Sequence, residues 1–90
     1  MKIILVSYYD EAKELKENPP YDLKHLDFEF DKVINNHPSS IQKLEGLKVE
    51  KAYVAPSVFV NGILPELMDI LLNNFVRQGI GGHDAFEVVA

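Results

Sequence analysis

The chain has 90 residues, 47% of them hydrophobic and 26% charged, with a formal net charge of −5 and no cysteine. That length corresponds to one domain, 1–90, large enough to fold alone with modest stability in reserve. The missing cysteines exclude disulfides, thiol redox chemistry and cysteine-ligated zinc. The acidic balance disfavours general binding to a nucleic-acid backbone, and no apolar run approaches the roughly 20 residues of a membrane-spanning helix.

Ile3 to Val6 is a continuous apolar run closed by Ser7, Tyr8 and Tyr9. Such a run reads as a strand buried on both faces, which places it at the centre of a sheet. It is too short for a signal-peptide core and no small-residue cleavage site follows, so a cytoplasmic setting is expected. Asp10 is a candidate N-cap for a helix over Glu11–Glu17, whose only apolar residues are Ala12 and Leu15. Asn18-Pro19-Pro20 stops it, because the residue before proline is pushed out of the helical region.

From His25 to Asp31 the pattern alternates. Leu26, Phe28 and Phe30 point one way and His25, Asp27, Glu29 and Asp31 the other, which predicts a half-buried strand near a sheet edge with an acidic outer face. Val33–Pro38 fits no single element. His37-Pro38-Ser39-Ser40 reads as a loop into a helix over Ile41–Glu45, capped by Ser39 or Ser40 and closed by Gly46. Residues 48–54 form a third strand. Pro56 then marks an edge, a strand start or a bend, with both cis and trans open for the Ala55-Pro56 peptide.

Val58, Phe59 and Val60 are β-formers followed by Asn61-Gly62, a strong hairpin pair. Only Ile63 and Leu64 separate that pair from Pro65, so it is expected to turn strand into helix. Pro65 suits the first helical position, and Glu66 and Asp69 suit the opening turns. Leu67, Leu71 and Phe75 fall on one stripe, and Met68, Leu72 and Val76 are expected to widen it toward the core. Asn74 and Gln78 are left facing water. Arg77 complements the dipole of the last turn and Gly79 is a C-terminal cap. Gly79–Gly82 links to a short final strand over Ala85–Val89.

The order β-α-β-α-β-α-β predicts a small layered α/β domain with a mixed, partly parallel sheet of about four strands. Ala55–Gly62, APSVFVNG, resembles the proline-containing strand of thioredoxin-like proteins, glutaredoxins above all, and the element order before it is similar. The resemblance covers eight residues and implies the fold only. Where that family carries a cysteine motif after its first strand, this chain has Tyr8-Tyr9-Asp10-Glu11, so no redox role and no functional residue is carried over. Thioredoxin-like and Rossmann-like topologies both fit the element order.

Open α/β sheets hold ligands beyond the carboxyl ends of their strands. That edge would carry Ser7, Tyr8, Tyr9 and Asp10 after the first strand and Asn61 and Gly62 after the third. A helix starting at Asp10 or Pro65 would offer backbone N–H groups to an anion. The plainer roles are capping for Ser7 and Asp10, and rings packed on the core for the tyrosines. Gly79–Asp84 is glycine-rich but follows a helix, the wrong order for a phosphate loop. It adds His83 as a ligand or acid–base candidate. His25, His37 and His83 lack metal-ligand spacing, and neither Ser7 nor Ser57 sits in a glycine-flanked elbow. No metal or cofactor is expected.

Two functions fit. The first is a non-catalytic binding or regulatory module that meets a protein partner or its own copy. It would use the acidic face of residues 25–31, the apolar residues 52–76 or an exposed edge strand. The second is a nucleotide-type ligand-binding protein or a minimal metal-independent phosphodiester-cleaving enzyme. Its ligand would lie against Ser7, Tyr8, Tyr9, Asp10, Asn61, Gly62 and His83.

Overall fold

The computed structural model describes residues 1–18 and 29–89. In chain order these form β1 (Lys2–Val6), α1 (Tyr9–Glu17), β2 (Lys32–Asn35), a 3-10 turn (Pro38–Ser40), α2 (Ile41–Glu45), β3 (Lys51–Val54), α3 (Pro56–Asn61), α4 (Pro65–Gln78), α5 (Gly82–Ala85) and β4 (Phe86–Val88). The strands make one sheet of order β2-β1-β3-β4, and all three pairings are parallel. The α/β layering is as expected from the sequence, with β1 in the interior. The sheet is parallel throughout the described residues, where a mixed one was anticipated. Parallel neighbours need a crossover long enough to return the chain to the same end of the sheet.

The crossovers fix the layers. The chain moves one way from β1 to β2, then back past β1 to β3 and onward to β4. Right-handed connections therefore put α1 on one face and α2 and α4 on the other. The packing agrees: α1 lies against β1 and β2, and α2 lies against α4. Leu5, Val54 and Val88 are aligned neighbours, as are Ala52 and Phe86, so these five share a face. Phe75 of α4 meets Phe86 edge-on on that face, with ring centroids 5.1 Å apart. Ile4 and Val6 point to the other face and are equally buried. Burial on both sides is why the first strand reads as an uninterrupted apolar run.

Helix α4 starts at Pro65 and ends at Gly79, whose φ of 71° lets its N–H return to the Phe75 and Val76 carbonyls. Leu67, Leu71 and Phe75 are buried as the spacing predicts. The expected widening of that stripe fails: Leu72 and Val76 are exposed and Met68 is half-buried. Asn74 and Gln78 do not face water. Asn74 Oδ1 accepts the Val49 N–H at 3.0 Å and its Nδ2 donates to the Leu47 carbonyl at 2.6 Å. Gln78 Nε2 donates to the Val49 carbonyl at 2.6 Å and to Asn74 Oδ1 at 2.7 Å. These amides supply the partners that residues 47–49 lack before β3 begins, and so tie α4 to the sheet.

Three further expectations change. The strand placed at His25–Asp31 has its first four residues outside the described ones; Glu29–Asp31 are not strand, and the edge strand is Lys32–Asn35. Asp31 instead grips β1, its carboxylate accepting the Lys2 N–H at 2.8 Å. Val58–Val60 are helical, so the segment that resembles a thioredoxin-type strand is α3. Pro56 stands at the helix start after an extended Ala55, and no described peptide bond is cis. Proline at the first helical position favours that start, and β propensity is weak against such context.

Candidate functional site

The direction of the chain across the sheet reverses between β1 and β3, which makes their carboxyl ends the switch point where parallel sheets usually hold ligands. Ser7 leaves β1 there. Ala55, Pro56 and Ser57 leave β3, where Asn61 and Gly62 had been expected. The first turn of α1 returns Glu11 over the same spot, and only 7% of that residue is exposed. Glu11 Oε1 accepts the Ser7 N–H at 2.9 Å. The Ser57 hydroxyl donates to Oε1 and Oε2 at 2.8 and 2.7 Å. With its single proton used there, Ser57 accepts from the Ser7 hydroxyl, 2.7 Å away.

A second fastening lies one residue beyond β2. Asn36 Nδ2 donates to the Gly62 carbonyl and its Oδ1 accepts the Leu64 N–H, each at 3.0 Å. Gly62 has a φ of 88°, open to glycine alone without strain. Helix α3 is thus latched at its start to the end of β1 and at its finish to the end of β2. Val58, fully buried, pins it between. The start of α3 borders the switch point, and the Glu11 carboxylate takes up the Ser7 N–H and the Ser57 hydroxyl there. Among the described residues no buried side-chain nitrogen or oxygen lacks a partner.

The other predicted ligand residues scatter. Tyr8 is the N-cap of α1 by backbone geometry, and Asp10 is an exposed first-turn residue, not the cap. The Tyr8 hydroxyl donates to Glu14 Oε2 at 2.8 Å. That bond raises its pKa above the ordinary tyrosine value, with smaller contributions from desolvation and from the charges of Glu14, Glu11 and Asp10. The Tyr9 hydroxyl accepts from Lys43 Nζ at 3.4 Å. Asn61 and Gly62 are exposed at the end of α3. His83 belongs to α5, just before β4 begins, and therefore sits at the amino end of the sheet, away from Ser7. Glu11 and Asn36 escaped the sequence reading; Glu11 stands four residues after Ser7, the spacing that brings it back over the strand end.

A different feature stands out beside α3. Phe59, Val60 and Val76 are 64%, 81% and 74% exposed, and Leu72 and Val88 are exposed with them. Phe59 and Val88 help to wall a cleft of about 290 Å³, with Val54, Val58, Ile63, Met68 and Phe86, and none of the described residues that line it is charged. Of the predicted ligand residues, Gly62 alone contributes to it. A groove of about 510 Å³ at the far end of α4 has mixed charge, from Lys48, Glu50 and Arg77. Among the described residues no three His, Asp or Glu side chains gather to hold a metal, and no helix is long and apolar enough to cross a membrane. No family model, curated protein or solved structure matches the chain.

Proposed function

We propose that the chain is a small, cytoplasmic, non-catalytic module that binds protein through the apolar face of α3, α4 and β4. The observation that carries this reading is the exposure of Phe59 and Val60 on α3 and of Leu72 and Val76 on α4, with a cleft beside Phe59 whose described lining is uncharged. Single exposed apolar residues are ordinary, whereas a contiguous group around a concavity marks a docking surface. A core residue placed outside costs the protein its hydrophobic gain, and the α4 stripe had the spacing to bury Leu72 and Val76 had there been an element to cover them. The test is the hydrodynamic size of the chain in a crude lysate. Native protein should elute well above its 10.2 kDa, and the Val60→Glu, Val76→Glu double variant at the monomer position. Identical profiles at the monomer position would count against the reading.

The nucleotide-type alternative draws on the exposed Tyr8 and Tyr9 rings beside the carboxyl edge of the sheet, since aromatic faces stack bases. Glu11 weighs against it, because a buried carboxylate at the switch point repels phosphate. A thermal-shift series with mono-, di- and cyclic nucleotides separates the two. A ligand at about a hundred times its dissociation constant stabilises by roughly 2.7 kcal/mol. A shift that disappears in Tyr8→Ala would favour the ligand site.

A further inference from the structure

We infer that Asn61 is a site of spontaneous deamidation, and that the Asn36 side chain sets its rate by holding the Gly62 turn closed. No other asparagine in the chain precedes glycine. At Asn61 the backbone nitrogen of Gly62 meets the side-chain carbonyl carbon with no following side chain in the way. In that step a C–N bond forms between them and closes a cyclic succinimide. The Asn61 side-chain nitrogen leaves as ammonia, taking the proton from the Gly62 nitrogen. Water then opens the ring at either carbonyl, leaving aspartate or isoaspartate. Asn61 is exposed at the last position of α3. Nothing stands within 4 Å of the place a Cβ on Gly62 would take. Water and base therefore reach the turn.

The native turn holds the attacking nitrogen back. The Gly62 N–H donates to the Val58 carbonyl at 2.7 Å, which closes the last turn of the helix. Cyclisation requires that bond to break and Asn61 to leave its helical conformation. Asn36 opposes this from the end of β2, through its bonds to the Gly62 carbonyl and the Leu64 N–H, each at 3.0 Å. These bonds fix the chain beyond the reacting peptide, and the fully buried Val58 fixes it before. The reaction thus proceeds through local opening of the turn, at a free energy those contacts raise. Conversion replaces a neutral amide by a carboxylate, one residue from Gly62 in the wall of the cleft beside α3. Isoaspartate also adds a methylene to the backbone between Asn61 and Gly62, which moves Gly62 out of register with Asn36.

The experiment is peptide mapping by mass spectrometry of the purified chain, aged in mildly alkaline buffer both folded and in urea. The expected result is conversion of Asn61 to aspartate and isoaspartate together, faster in urea than in the folded chain. Asn73, also exposed, should lag far behind. Asn36→Asp keeps the acceptor for the Leu64 N–H and loses the donor to the Gly62 carbonyl. Its folded form should convert roughly fivefold faster than the native chain, the worth of one hydrogen bond. Asn36→Ala loses both bonds and should convert faster still. Circular dichroism checks that each variant folds, and Asn36→Asp carries the test if the alanine variant does not. No conversion at Asn61 in the folded chain or its folded variants overturns the inference, as does an equal rate in buffer and in urea. Conversion that ignores both substitutions removes Asn36 from it. Aspartate without isoaspartate signals direct hydrolysis of the side-chain amide and overturns the cyclic route.

Discussion

The Ser57 hydroxyl addresses both carboxylate oxygens of Glu11, at 2.8 and 2.7 Å, across 46 residues of sequence. This contact joins the start of α3 to the first turn of α1 at the carboxyl ends of β1 and β3. Through it, a segment with β-forming residues is held as a helix with Phe59 and Val60 turned outward.

Breaking that contact should cost stability. Glu11→Gln keeps the size of the side chain but replaces one acceptor oxygen by a donor, facing the Ser7 N–H and the Ser57 hydroxyl. A loss of about 1–3 kcal/mol is expected, the range for leaving a buried polar group unmatched. Ser57→Ala should cost less, since Glu11 keeps the Ser7 N–H. The double variant should lose less than the sum, because the two residues share one interaction. Urea denaturation with unchanged slope measures all three.

Asn74 should matter far more than its neighbour. Asn74→Ala strands the Val49 N–H and the Leu47 carbonyl, and Val49 is fully buried. A loss of about 1–3 kcal/mol is expected, equivalent to a fall in Tm of at least roughly 4 °C in a domain this small. Asn73, exposed on the same helix, should tolerate alanine within about 0.5 kcal/mol.

Tyr8 should ionise late. Its hydrogen bond to Glu14 favours the neutral phenol, so its pKa in the folded chain lies above the ordinary value of 10.0. A raised pKa means that the favourable contribution is fully present below pH 10 and is lost as pH rises through the folded-state value. Spectrophotometric titration of tyrosinate should show the late-titrating signal vanish in Tyr8→Phe and move to lower pH in Glu14→Gln.

Gly79→Ala should destabilise by about 1–2 kcal/mol, because a φ of 71° costs an L-residue that much. No atom stands within 4 Å of the position an added Cβ would take, so the penalty comes from the backbone alone. A thermal melt of Gly79→Ala beside Gly46→Ala, where φ is −86°, isolates it.

The parts of this fold legible in sequence were those set by local pattern. IILV declared an inner strand, and Pro65 to Gly79 declared a capped helix with Leu67, Leu71 and Phe75 inward. The misread parts depended on partners distant in the chain. Val58–Val60 have strand propensity and become helix, with Pro56 at the first helical position and Val58 buried against the core. Leu72 and Val76 have the spacing of core residues and stay outside because no described element lies over them. Asn74 and Gln78 look like solvent-facing amides until the backbone of residues 47–49 is brought beside them. Within the candidate site, Ser7 was a candidate, Ser57 was weighed only as a nucleophile and set aside, and Glu11 was not singled out, since the cluster exists only once β1 and β3 lie side by side.

Site-specific photo-crosslinking in the cell tests the docking face most directly. A benzophenone side chain placed at position 60, 76, 8 or 13 reports which surface another protein touches. Docking through α3, α4 and β4 predicts crosslinked products from positions 60 and 76, with none from position 13 on the far helix. Products from position 8 or 13 with none from 60 and 76 would contradict it, and would move the functional surface to the other side of the molecule.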